Sequence, residues 1–184
     1  MRSNLLGVRP TPTEVLATAP GDEIVDQPDV VMDRAFDLPA PPAAVWPWIN
    51  QLGKDRAGWY LPRWVERFVP ARRRALGRID ESLQQLQPGD VIPDWGGKNA
   101  IFKIVTHQAP NLLVHRSTRA NTQLSWAIML QPSPGGTRMH LRLRMAGIKH
   151  RRTAEIGGGL VDLLTVAGLA AGLRERIAAA KNAD

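Results

Sequence analysis

The sequence predicts one α+β domain of 184 residues, and three features carry that reading. Between residues 90 and 145, short apolar runs are separated by the compact turn sequences "DWGGKN", "QAPN", "TRAN" and "PSPGG", the pattern of an antiparallel meander. Within the last run, "TRMHLRLRM", Met139, Leu141, Leu143 and Met145 alternate with Arg138, His140, Arg142 and Arg144, so one sheet face should be covered and the other wet. Residues 159–180 then begin apolar and end in "GLRERIAAAKN", a stretch long enough for a helix of about six turns.

The elements follow in chain order. Residues 1–29 read as a strap over the domain, with Thr11 or Thr13 capping a short helix at "TEVL" and with "APGDEIVDQPD" as turn and coil. The run "VVMDRAFD", residues 30–37, is a strand that stops at "LPAPP". Pro41 and Pro42 suit the first turn of a helix in which Val45, Trp46, Ile49 and Leu52 recur at helical spacing until Gly53. Trp46 is expected in the core and Trp48 half exposed. A second short helix over 62–68 would place Trp64, Val65 and Phe68 on one side before Pro70 ends it. "ESLQQLQPGD" adds one helical turn, and strands are expected at 90–93, 100–107, 112–118, 123–131 and 137–145. The remainder of the core region runs to 149, and the final helix, within 156–181, should pack on the sheet through Leu160, Leu164, Ala167, Ala171 and Ile177.

Composition narrows the chemistry. With no cysteine there is no thiolate nucleophile, disulfide or Cys-ligated zinc, which suits a reducing compartment and makes the cytoplasm the expected location. The opening "MRSNLLGVRPTPTEV" meets prolines before any apolar run, unlike a secretory signal. Lys and Arg number 24, of which 19 are Arg, against 17 acids, and the net charge of +7 reads first as a solvated basic surface. Residues 156–173 are interrupted only by Asp162 and Thr165, but three glycines open the run, Asp162 would be costly in hydrocarbon and a spanning helix needs about 20 apolar residues, so neither a transmembrane segment nor peripheral membrane contact is expected. His107, His115, His140 and His150 have no compact ligand spacing, so no metal and no cofactor are expected. No G-x-S-x-G elbow surrounds any serine, and Gly157, Gly158 and Gly159 lack the Lys-Ser/Thr pair of a phosphate loop.

Five stretches, taken in order, resemble one family. "DRAFDLPAPPAAVWPWINQLG", residues 33–53, looks like the first strand and following helix of the START-like or SRPBCC superfamily, which includes birch-pollen-allergen-like proteins and bacterial polyketide cyclase/dehydrase-like proteins. "AGWY" with Trp64, then "LQPGDVIP", "SWAIMLQP" and "TRMHLRLR", continue the likeness from about residue 10 to residue 177. The resemblance implies a helix-grip fold, in which a curved antiparallel sheet wraps a long C-terminal helix and two short helices close an interior cavity. Two departures bear on that cavity: Leu61, Pro62 and Arg63 stand where the family often has a small polar residue, an aromatic and an acid, and His115 stands where an apolar residue is usual.

For function, the resemblance implies binding of a small hydrophobic or amphipathic molecule, such as a lipid, in that cavity. The arginine excess would suit an acidic group on it. Trp59, Tyr60, Trp64, Trp95, Phe102, His115 and Trp126 are the candidate ligand-binding residues, because pockets of this kind are walled by aromatics with a few polar groups. A polyketide cyclase-like enzyme is the alternative, needing mainly a folded substrate and one acid or base, for which His115 and Tyr60 are the titratable candidates. No convergent catalytic set is visible, which weighs against an enzyme. A second alternative is nucleic-acid binding by the Arg-rich segment 63–78, where Arg63, Arg67 and Arg72 to Arg74 interleave with Trp64 and Phe68. No helix-turn-helix or RNP pattern accompanies it, so nucleic acid is the disfavoured partner.

Overall fold

The computed structural model describes residues 5–97 and 99–182; the first four residues of the strap, Lys98 of the "DWGGKN" turn and the last two residues lie outside them. One antiparallel sheet holds six strands: β1 (Val30–Leu38), β2 (Val91–Pro93), β3 (Ile101–Gln108), β4 (Leu112–Arg119), β5 (Thr122–Ser133) and β6 (Gly136–Ala146). Their order is β1-β6-β5-β4-β3-β2, a meander from β2 to β6 to which β1 is added alongside β6. Each expected strand lies within two residues of the observed one. The helices are α1 (Pro12–Leu16), α2 (Pro42–Asn50), α3 (Arg63–Glu66), α4 (Arg151–Thr153) and α5 (Gly159–Lys181), with a π-helical turn, Ala154–Gly158, joining the last two.

The core lies between α5 and the inner face of the sheet. Leu169, Ala170 and Leu173 of α5 are fully buried in one cluster with Phe36, Ile128, Leu130 and Met139. Trp48 belongs to the same cluster rather than being half exposed, its indole edge-on to Tyr60 at 5.7 Å. On its other side α5 crosses the 60–61 backbone so closely that a Cβ added at Gly172 would lie 2.7 Å from the carbonyl carbons of Tyr60 and Leu61. Gly172→Ala is therefore predicted to push helix and loop apart and to cost about 1–3 kcal/mol, the usual range for overpacking. Urea denaturation measures it, and an unchanged midpoint would show that the loop yields freely.

The inward register of α5 differs from the sequence-based expectation. Leu160 and Leu164 are each 56% exposed, and burial starts only at Val166. The first half of α5 overhangs an open pocket, toward which Val161, Asp162, Thr165 and Val166 are turned, so the neighbouring leucines point away from the sheet. Helical spacing identifies a stripe but not which side of it meets the sheet.

The second correction concerns the arginine face of β6, which is covered rather than wet. Arg142 is 3% exposed, and its guanidinium donates to Asp33 at 2.8 Å, to Asp22 at 3.0 Å and to the carbonyls of Glu14, Val15 and Ala17 at 2.8–3.0 Å. His140 Nε2 lies 2.7 Å from the same Asp33. Arg138 grips Glu14 at 2.8 and 2.9 Å, and these hydrogen bonds hold the Glu14 carboxyl down at about 2. The strap thus supplies, from more than a hundred residues away, the acceptors that let charged side chains stay under cover. It lies flat where Gly21, at φ +90°, rests on the sheet: a Cβ there would sit 2.7 Å from Val114 Cγ1. At the margin of the sheet, the Ala35 N–H donates to the Val8 carbonyl at 3.1 Å. At the opposite side, β3 carries an irregularity between Ile104 and Thr106.

Candidate functional site

Directly opposed residues of paired strands share a face, and the register Met32↔Leu143↔Trp126↔His115↔Ile104 sets one row across the inner face of the sheet. Phe102, two residues before Ile104, belongs to the same face. The connection after α2 places Trp59 above this row, where its indole N–H donates to the Thr165 carbonyl of α5 at 3.1 Å. Sheet, connection and the first half of α5 together surround a pocket of about 460 Å³.

Five of the seven residues singled out in the sequence, Trp59, Trp95, Phe102, His115 and Trp126, line this pocket and touch one another in a chain. Trp59 meets Trp95 edge-on at 6.1 Å and stacks against Trp126 at 6.1 Å. Trp126 stacks on His115 at 4.8 Å, and Phe102 lies against both at 5.6–5.8 Å. Leu52, Ile92, Val161 and Val166 complete a largely apolar lining.

Tyr60 and Trp64 are placed elsewhere. Tyr60 is fully buried in the core cluster, whereas its neighbour Trp59 faces the pocket. Its hydroxyl donates to the Trp48 carbonyl at 3.0 Å and accepts from Gln51 Nε2 at 2.9 Å, and the Arg176 guanidinium lies 4.7 Å from the ring centroid. Burial pushes the Tyr60 pKa up, so the phenol stays neutral and anchors the fold. Trp64, on α3, is 64% exposed.

The polar groups of the pocket are few. His115 Nδ1 is 3.1 Å from the Trp126 carbonyl, which can only accept, so this geometry assigns the ring proton to Nδ1. Burial lowers the His115 pKa to about 4, and the ring is therefore neutral near pH 7. Among the described residues nothing hydrogen-bonds its Nε2, which is left as a lone-pair acceptor. Asp94 is paired with Arg119, whose guanidinium also lies 5.3 Å from the Phe102 centroid. Asp162 is paired with Arg34 at 2.9 Å, and burial raises its pKa. Both carboxylates are thereby neutralised in place, and no arginine is among the lining residues.

Several lining residues escaped the sequence reading. Met32 and Leu143 could have been found by extending the alternation of β6 onto its neighbour β1. Asp162 was visible as the one charge in the 156–173 run, though read there only as a cost in hydrocarbon. Asp94 carried no signal beyond its turn. Among the described residues no group of three His, Asp or Glu could hold a metal ion, and no hydroxyl hydrogen-bonds His115.

Fold and site together define an α+β protein with an open six-stranded antiparallel sheet and a long C-terminal helix flanking an aromatic pocket. No protein-family model matches the chain, and no curated protein matches it in sequence. Solved structures of bacterial proteins do share the fold. A protein of unknown function from Staphylococcus aureus superposes with a TM-score of 0.56 at 12% identity, over 83% of this chain and 96% of its own. A Rhodobacter sphaeroides protein gives 0.52 at 14% identity, over 82% and 93%, and a Mesorhizobium loti protein gives 0.50 at 13% identity, over 80% and 98%. At these identities the likeness establishes the fold alone.

Proposed function

We propose that this chain is a helix-grip protein of the START-like type that binds a small, mainly apolar molecule between the sheet and α5, engaging a hydroxyl or N–H of that molecule with His115 Nε2. The observation that carries the proposal is the continuous aromatic wall ending on a neutral histidine whose second nitrogen has no protein partner among the described residues. A pocket of about 460 Å³ is within the range usual for small-molecule sites. An apolar wall supplies affinity, and one buried acceptor supplies selection, because a ligand lacking a donor leaves that acceptor desolvated and unpaired. The paired carboxylates on the margin favour a neutral ligand over the acidic one that net charge suggested.

The test uses displacement of Nile red, an uncharged fluorophore, by 2-naphthol and by 2-methoxynaphthalene. The naphthol is expected to bind about 5- to 100-fold more tightly, the range for satisfying one buried polar group. This ratio should collapse in His115→Phe and stay flat between pH 5 and 8, since the folded-state pKa of about 4 keeps the ring neutral throughout. Trp126→Ala and Trp59→Ala should weaken both ligands. Equal affinity for the two in the wild type would sink the His115 role, and unchanged Nile red binding in both tryptophan variants would sink the pocket itself. Native mass spectrometry of the purified protein is the companion measurement, in which a released small molecule would identify the natural ligand class.

A further inference from the structure

We propose that the outward face of the first half of α5, with the π-helical turn before it, docks on an anionic lipid bilayer. Ile156, Leu160 and Leu164 recur every four residues, with Val161 beside them, and they are 77%, 56%, 56% and 65% exposed. Soluble proteins rarely leave so many large aliphatic side chains together on one surface without a partner for them. The turn and the first half of α5 carry two acids: Asp162 is turned inward to Arg34, which leaves Glu155, at the start of the stripe, as the one exposed carboxylate beside it.

The surroundings specify the partner. Lys149 and Arg152 are exposed just before the stripe. Beyond it, α3 is tied to the second half of α5 by the Arg63 N–H donating to Glu175 at 2.8 Å and by Arg176 to Glu66 at 2.6 Å. That short helix carries exposed Arg63 and Trp64, followed by Arg67 and Phe68, the last 84% exposed. Exposed aliphatics flanked by cations and a tryptophan are the chemistry of a segment lying in the bilayer interface, where apolar groups enter the acyl boundary and cations meet lipid phosphates. A second copy of the chain suits the surface less well, because each carries a net charge of +7 and the two would repel. A spanning role is ruled out for the folded chain by Leu169, Ala170 and Leu173, which hold the rest of the helix in the core. The surface also borders the pocket, since Val161 belongs to both, but docking does not require the pocket to hold a ligand.

Co-sedimentation with large unilamellar vesicles tests this, comparing pure phosphatidylcholine with a mixture containing about 30% phosphatidylglycerol. Binding to the anionic vesicles is expected to be about tenfold or more tighter and to weaken when salt is raised from about 0.1 to about 0.5 M. Leu160→Gln with Leu164→Gln should lower it by about tenfold or more without changing the thermal melt, because both side chains are already exposed. Lys149→Gln with Arg152→Gln should reduce the preference for anionic lipid specifically. The proposal is overturned if anionic vesicles do not retain the protein, or if the leucine variant binds them as the wild type does. It is equally overturned if light scattering shows a dimer that the leucine variant dissolves, or if the protein binds a single-stranded oligonucleotide but no vesicle.

Discussion

Arg142→Met should lower the free energy of unfolding by about 3–5 kcal/mol, the cost of stranding the partner of a buried ion pair. The substitution keeps length and apolar contact but removes every donor. Asp33 would retain only His140, Asp22 would lose one of its two arginines, and three strap carbonyls would lose their partner at once. The strap should then detach as a unit, so limited proteolysis would cut within residues 9–26 before the sheet opens. A urea midpoint displaced by no more than a surface substitution, about 0.5 kcal/mol, would mean that the strap is held by its apolar contacts instead. Acid should act on the same segment. The Glu14 carboxyl is depressed in the fold, so its pairing with Arg138 is fully present above the ordinary glutamate pKa of about 4.3. That contribution is lost as the pH falls toward about 2.

Arg176→Met is expected to cost a similar amount, about 3–5 kcal/mol, on the opposite side of the sheet. Arg176 is 3% exposed and joins α5 to the 60–76 connection through Glu66 at 2.6 Å, the Leu61 carbonyl at 3.1 Å and the Leu76 carbonyl at 2.8 Å. Lysine is a poor replacement, since one ammonium cannot reproduce the planar fork that reaches all three and stacks on Tyr60. The two arginine variants differ in a second readout. Arg176→Met loosens the connection that carries Trp59 and should weaken Nile red binding, whereas Arg142→Met should leave that affinity unchanged once the protein is folded. If both variants lost the probe equally, the pocket would depend on global stability and not on this connection.

Local chemistry made most of the architecture legible. The turns "PSPGG" and "TRAN" could only separate strands, and Pro42 opened a helix where proline is tolerated. What failed to show was contact between distant segments. The alternation in "TRMHLRLRM" separates two faces but cannot reveal that Asp22 and Glu14 will cover one of them. The leucines at 160 and 164 read as core because apolar spacing carries no information about an overhang. In the pocket, aromatic content identified Trp59, Trp95, Phe102 and Trp126, yet the same criterion also selected Tyr60 and Trp64. Only the burial of Tyr60 beneath the connection and the position of α3 separate these from the lining.

The sheet is open, and an open sheet offers its outermost backbone groups to any passing strand. Here one end finishes in a three-residue β2 that terminates at Pro93, whose nitrogen has no proton to donate, next to the irregular stretch of β3. The other end, β1, is partly occupied by the Val8 carbonyl. Strap and proline therefore act as guards against fibril-like growth, and a chain trimmed of its first 29 residues should form soluble aggregates on gentle warming well before the intact protein does.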